Sequence, residues 1–221
     1  MHMKYAARIV LGAQPLGPIG GLRGEGQVIG ISDTGLDTNS PFFTDRTAPV
    51  PFCTTDCVVG THRKIVSYRH FSWSDSTDTP GGHGTSVCSA AVGSATGNGF
   101  NGVAPNARIA FEDLSTNGDN IVAPSDLTLN LFAHAYEMGA RVYSISWGSQ
   151  HNDYDLWALE LDQFAYAHPD FLLHVAVGNN GPLDGTLSSP ATAKNALSVG
   201  ATMNGAKVLR PALMLSCSSP V

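Results

Sequence analysis

Short apolar runs that read as buried strands alternate along this chain with stretches of helical spacing. That alternation points to a parallel sheet covered by helices. Residues 27–32 follow a glycine-rich turn and lead into Asp33-Thr34-Gly35-Leu36-Asp37. Residues 107–111, 141–148, 171–177 and 196–201 are further strands, with β-branched and aromatic side chains marking 141–148. Between them, the run Gly81-Gly82-His83-Gly84-Thr85-Ser86-Val87-Cys88 reads as a tight turn that delivers His83 to the first turn of a buried helix. Ser125 is placed to cap a second helix carrying Leu127, Leu131, Ala135 and Met138, which Gly139 stops. Trp157, Leu161 and Phe164 mark a third, closed by His168-Pro169. Residues 38–80 hold one strand, around residues 64–68, and otherwise read as surface loops. The expected class is α/β, a mostly parallel, doubly wound sheet with helices on both faces.

With 221 residues the chain can bury one substantial core. A formal charge of −6 supplies no basic face, which argues against nucleic acid as a partner. No apolar run is long enough to span a membrane. The first residues lack the charged-then-apolar layout of a signal peptide, so the expectation is a cytosolic protein or an N-terminal piece outside this sequence. Cys53 and Cys57 lie in the loop-like Pro-Phe-Cys-Thr-Thr-Asp-Cys and leave two readings open. They close a small disulfide ring if the protein is exported, or bind zinc with His62 and His70, although that spacing fits no familiar site. Cys88 reads as a small core residue, and Cys217 has no evident partner.

Asp33 and Asn179 both follow strands, where the carboxyl ends of an open α/β sheet leave a crevice for ligands. A histidine held at a helix start beside flexible backbone can exchange protons near neutral pH. Taken singly, Asp33 reads as a turn residue, Asn179 as a left-handed turn former and Trp147 as core. Taken together, Asp33-Thr34-Gly35, His83-Gly84-Thr85 and Ala176-Val177-Gly178-Asn179-Asn180-Gly181 resemble the subtilisin-like serine proteases, the subtilases, in which Asp precedes His. Gly102-Val103-Ala104-Pro105-Asn106-Ala107 and Ser189-Pro190-Ala191-Thr192-Ala193-Lys194-Asn195 look like subtilase segments as well. The Ser-Trp-Gly and Pro-Ala-Thr-Ala-Lys-Asn forms look like a branch of larger, multidomain subtilases. The resemblance covers residues 24–203, with 1–23 as a lead-in and 204–221 as a divergent tail.

The resemblance implies a subtilisin-like fold and peptide-bond hydrolysis through an acyl-enzyme. Asp33 would orient His83, His83 would act as general base and then general acid, and Asn179 would donate to the oxyanion. Ser146, Trp147 and Gly148 would pair with an extended peptide, and the segment from Leu114 to Gly118 would form the opposite wall, with Leu114 as a binding residue. Polypeptides would be the substrates, and location in the secretory pathway follows by family. No cofactor is required; structural calcium is common in the family, but Asp37 and the Asp-rich loops read equally well as solvated turns.

The chain also departs from the family. No Gly-Thr-Ser-x-Ala-x-Pro segment follows Asn179, within the 42 residues that remain. Ser86 has the right neighbours but lies three residues past the base on the same helix, so it reads as structural. Ser40 and Ser86 stand where many subtilases carry histidines. The expectation is a catalytic domain without its C-terminal part and without the nucleophile, inactive alone. The alternative is a pseudoprotease that binds extended peptides without cutting them. An aspartic protease half-site would need a second Asp-Thr-Gly that only a homodimer could supply, and the alternating α/β pattern is wrong for that all-β class.

Overall fold

The apolar run after the first glycine turn forms strand β1, Val28–Asp33, and it becomes the middle of the sheet. In the computed structural model, which describes residues 22–95, 101–116 and 120–201, the other strands are β2 (Phe52–Cys53), β3 (Ile65–His70), β4 (Arg108–Asp113), β5 (Val142–Ile145), β6 (Leu172–Ala176) and β7 (Leu197–Val199). Gly118, Met203 and Cys217 lie outside the described residues. The pairings between these strands are parallel, in the order β2-β3-β4-β1-β5-β6-β7.

Alternation along the strands builds two cores. In β4, Ile109 and Phe111 point to one face and Ala110 to the other. Helix α1, His83–Val92, covers the first face through Cys88 and Val92. A π-helical turn at Thr128–Phe132, helix α2 (Ala133–Glu137) and helix α3 (Leu156–Ala167) cover the second, with Leu131, Ala135 and Leu161 inward. Helices therefore lie on both faces, as the alternation of patterns indicated. The β3–α1–β4 and β4–α2–β5 crossovers step across the sheet in the same direction with their helices on opposite faces. The two crossovers are consequently of opposite hand, and one of them departs from the right-handed rule.

Three local expectations change. Strand β2 is present, two residues long, where only loop was expected; Phe52 and Cys53 pair with Tyr68 and Arg69, a contact no local pattern announces. The second helix is capped by Asp126, whose Oδ1 accepts from Leu129 N–H at 2.8 Å, instead of by Ser125. Cys53 and Cys57 are joined in a disulfide, and His62 is buried with Nδ1 accepting from the N–H groups of Lys64 and Ile65. These bonds remove the zinc reading with His62 and His70. Cys88 is a buried free thiol, and burial pushes its pKa well up, so it is packing and not chemistry.

The start of α1 is held by a backbone-to-backbone approach. A Cβ on Gly84 would stand 2.1 Å from Gly35 O, and one on Gly35 would stand 2.0 Å from Thr77 O. Gly35 also has φ +120°, a conformation that side chains disfavour. Gly84→Ala should therefore lower stability by roughly 3 kcal/mol, a Tm drop on the order of 10 °C by calorimetry, because backbone has no rotamer with which to yield.

Candidate active site

Asp33 is the last residue of β1 and its side chain is fully buried, while the His83 side chain, on the first residue of α1, is 53% exposed. His83 Nδ1 lies 2.7 Å from Asp33 Oδ1, which also accepts from Thr34 N–H at 2.7 Å. One end of the imidazole is thus tied to a dry carboxylate, while the side chain as a whole is about half exposed.

The helix start is wired from outside itself. Its N-terminal N–H groups lack intrahelical partners, and no capping side chain precedes them. Thr34 Oγ1 accepts from Gly84 N–H at 3.0 Å and donates to Asp78 Oδ1 at 2.9 Å. Asp78 Oδ2 in turn accepts from Thr85 N–H at 2.8 Å. Thr34 and Asp78 are the positioning residues that sequence reasoning missed. Asp78 lies 44 residues from Thr34 in a loop, so only the sequence of Thr34 itself, beside Asp33, offered a signal. Ser86 Oγ donates to Gly82 O at 2.8 Å, a bond internal to the helix turn.

Thr34, Gly81, His83, Ile121 and Ser146 line a hollow of about 340 Å³. Ser146, Trp147 and Gly148 continue beyond the end of β5. Trp147 turns inward: its indole N–H donates to Ser32 O at 3.1 Å and Ser32 Oγ at 3.0 Å, and its ring meets Trp157 edge-on at 5.7 Å. Ser149 N–H donates to Ser189 O at 2.8 Å, fixing the segment from its other side. Asn179 is exposed on the turn after β6, two strands from β1. Leu114 does not reach the hollow. Its side chain is fully buried, its N–H donates to Asp33 O and its carbonyl accepts from Val122 N–H, and Ile121 takes the wall instead.

Asp113 is the register neighbour of Asp33, on β4. Burial pushes its carboxyl up to about 7, aided by Asp75 and Asp78 and opposed by the Tyr68 hydroxyl (2.8 Å) and Ser115 N–H (3.1 Å). Tyr68 also accepts from Leu36 N–H at 3.2 Å, so this pair supports the loop that follows Asp33.

The sequence profile of the subtilase family matches residues 24–219. The chain belongs to the subtilase family. Among curated proteins it is 40% identical over 190 residues to the serine protease/ABC transporter B family protein tagB of Dictyostelium discoideum, covering 81% of this chain and 10% of that protein. It is 31% identical to a subtilisin of Bacillus sp. (strain TA39), over 82% of this chain and 40% of that one. Among solved structures, the S41 psychrophilic protease superposes with a TM-score of 0.55 at 28% identity, over 81% of this chain and 54% of that one. This subtilase chain therefore spans about a tenth of its tagB relative. Among its described residues no helix is long and apolar enough to cross a membrane.

Asp113 gives this subtilase a pH signature. Between about pH 4 and 7 the folded chain keeps a proton on Asp113 that the unfolded chain has released, so stability falls as pH rises through that window. The slope reaches at most about 1.4 kcal/mol per pH unit. Asp113→Asn should flatten this slope in urea unfolding midpoints measured across the window.

Proposed function

We propose that this chain carries the proton-transfer and oxyanion parts of a serine endopeptidase domain acting on polypeptides. The observation that carries the reading is the 2.7 Å contact of His83 Nδ1 with the fully buried Asp33. In this role Asp33 fixes the tautomer, leaving Nε2 to take the proton of an attacking serine hydroxyl. His83 then returns that proton to the departing amine, and Asp33 stabilises the imidazolium between the two steps. Asn179 donates its side-chain amide to the tetrahedral oxyanion. Ser146-Trp147-Gly148, held from beneath by Ser32, offers main-chain groups to an extended substrate.

The nucleophile is a separate matter. This sequence has no Gly-Thr-Ser-x-Ala-x-Pro segment after Asn179, and the reading is that the 221 residues alone hydrolyse nothing. The disulfide Cys53–Cys57 favours an oxidising, secretory location. A second reading, a pseudoprotease that holds peptides uncut, is favoured by the Ser146–Gly148 segment, whose Trp147 is bonded to Ser32 and whose next residue is bonded to Ser189.

Fluorogenic peptides and a fluorophosphonate label test both. The 221-residue chain should neither cleave nor label, whereas a form of the protein that also carries a Gly-Thr-Ser-x-Ala-x-Pro segment should do both. In that form His83→Ala should lower kcat on the order of 10⁴-fold or more, with KM little changed. Asn179→Ala should cost about 10²–10³-fold, the magnitude such a donor is worth in a subtilisin. Labelling of the 221-residue chain itself would overturn the missing nucleophile. Micromolar binding of uncut peptides by every form, with no cleavage, would favour the pseudoprotease.

A further inference from the structure

On the face of the sheet away from His83, a second histidine is clamped to a carboxylate beside the disulfide. His134, the second residue of α2, is buried, with Nδ1 2.6 Å from Glu112 Oε1. Glu112 Oε2 accepts from the Tyr143 hydroxyl at 3.0 Å. Burial pushes the Glu112 carboxyl pKa up, and its contact with His134 pulls it back. With Nδ1–H donated to Glu112, the lone pair of the ring sits on Nε2. Its nearest hydrogen-bonding group is Ser67 Oγ at 3.4 Å, a long contact for a hydroxyl donor. A core histidine kept only for packing has little use for a carboxylate that fixes its tautomer while its other nitrogen is so weakly engaged.

The sulfurs of Cys53 and Cys57 lie close to the same imidazole. Both sulfurs and a ring nitrogen of His134 lie within 4.8 Å of one another. A tetrahedral zinc site with ordinary Zn–S and Zn–N bonds has ligand-to-ligand edges of about 3.5–3.8 Å, so the sulfurs must part from their bonded distance, while the nitrogen already lies within 4.8 Å of both. Cysteines with two to four residues between them are a common zinc-ligand pair, and Cys53 and Cys57 have three between them; it is the wider set with His62 and His70 that fits no familiar spacing. The two cysteines are half-buried, Cys57 packs on the core that holds α2, and Glu112 stands where metal-bound histidines usually find their orienting carboxylate. Cys53 and Cys57 enter this cluster from the β2 loop, and His134 from 77 residues beyond Cys57, so the sequence neighbours His62 and His70 could not reveal it.

We propose that Cys53, Cys57 and His134 form a redox-gated site for a thiophilic divalent cation such as Zn²⁺. In the oxidised chain the two sulfurs are bonded to each other and the site is closed. A dithiol reductant delivers two electrons and two protons to the disulfide, giving two protein thiols and its own disulfide. The cation then displaces both thiol protons, and the two thiolates and His134 Nε2 become its ligands, with water on the fourth position. The inference does not depend on the roles proposed for Asp33, His83 or Asn179.

Cobalt(II) is the probe, because thiolate ligation gives it a charge-transfer band and zinc displaces it. The full chain, reduced with dithiothreitol and freed of it under anaerobic conditions, should bind one cobalt per chain with that band, and the untreated chain none. Cys57→Ser, near the surface, should weaken binding by roughly 100-fold or more, and Cys88→Ser should leave it unchanged. His134→Gln should do as Cys57→Ser does. Glu112→Gln, which keeps shape and changes only the orienting partner, should weaken binding about 10–100-fold. A reduced chain without the thiolate band would overturn the site, as would a band that survives Cys57→Ser. Affinity left unchanged by both His134→Gln and Glu112→Gln would remove the histidine from it and overturn the proposal equally.

Discussion

The site depends on the approach of two peptide backbones, Gly84 against Gly35. One begins the helix that carries His83, the other follows the strand that ends in Asp33, and there is no room for a side chain between them. That closeness lets Thr34 reach Gly84 N–H and lets Asp78 reach Thr85 N–H, so the helix start is tied to the β1 loop by hydrogen bonds as well as packing. The 2.7 Å contact between imidazole and carboxylate is the last of these bonds, and it inherits its geometry from the others. A histidine that is half in water would otherwise spend much of its time in other rotamers.

The end of the sheet sorts three carboxylates by their partners. Asp33 receives a backbone N–H and a histidine; Asp113, its neighbour in register, receives a phenol and is driven by burial toward its neutral form; Glu112, one residue earlier on the opposite face, receives a histidine and another phenol. Strand alternation puts Glu112 on one face and Asp113, with its register neighbour Asp33, on the other, and their partners alone separate those two. Two of the three meet a histidine, but only His83 opens to solvent.

Much of this was legible in the sequence. Strand β1, the His83 helix and the strand before Ser146 have apolar runs, glycine punctuation and terminal polar residues that agree with one another, and the motif order carried the family. What was not legible had a common cause. Strand β2 exists because two residues find Tyr68 and Arg69; Asp78 matters because Thr34 is near; His134 meets the cysteines only after the β2 loop has folded onto the sheet. The resemblance puts Leu114 in the cleft wall, yet alternation and two backbone bonds hold its side chain in the core. Pairings at long range leave little trace in a local pattern.

The position of β1 carries a cost during synthesis. It is made first among the described strands, yet its neighbours are β4 and β5, and Val28 pairs with Arg108, 80 residues later. At ribosomal rates of about 5–20 residues per second, a newly made β1 waits on the order of 4–16 s before its first lateral partner exists. During that interval its apolar residues Ile29 and Ile31 stand open in a nascent chain, a target for chaperones and for other unpaired strands. Translation speed between residues 34 and 108 is thus a variable in the yield of folded protein, independent of its final stability.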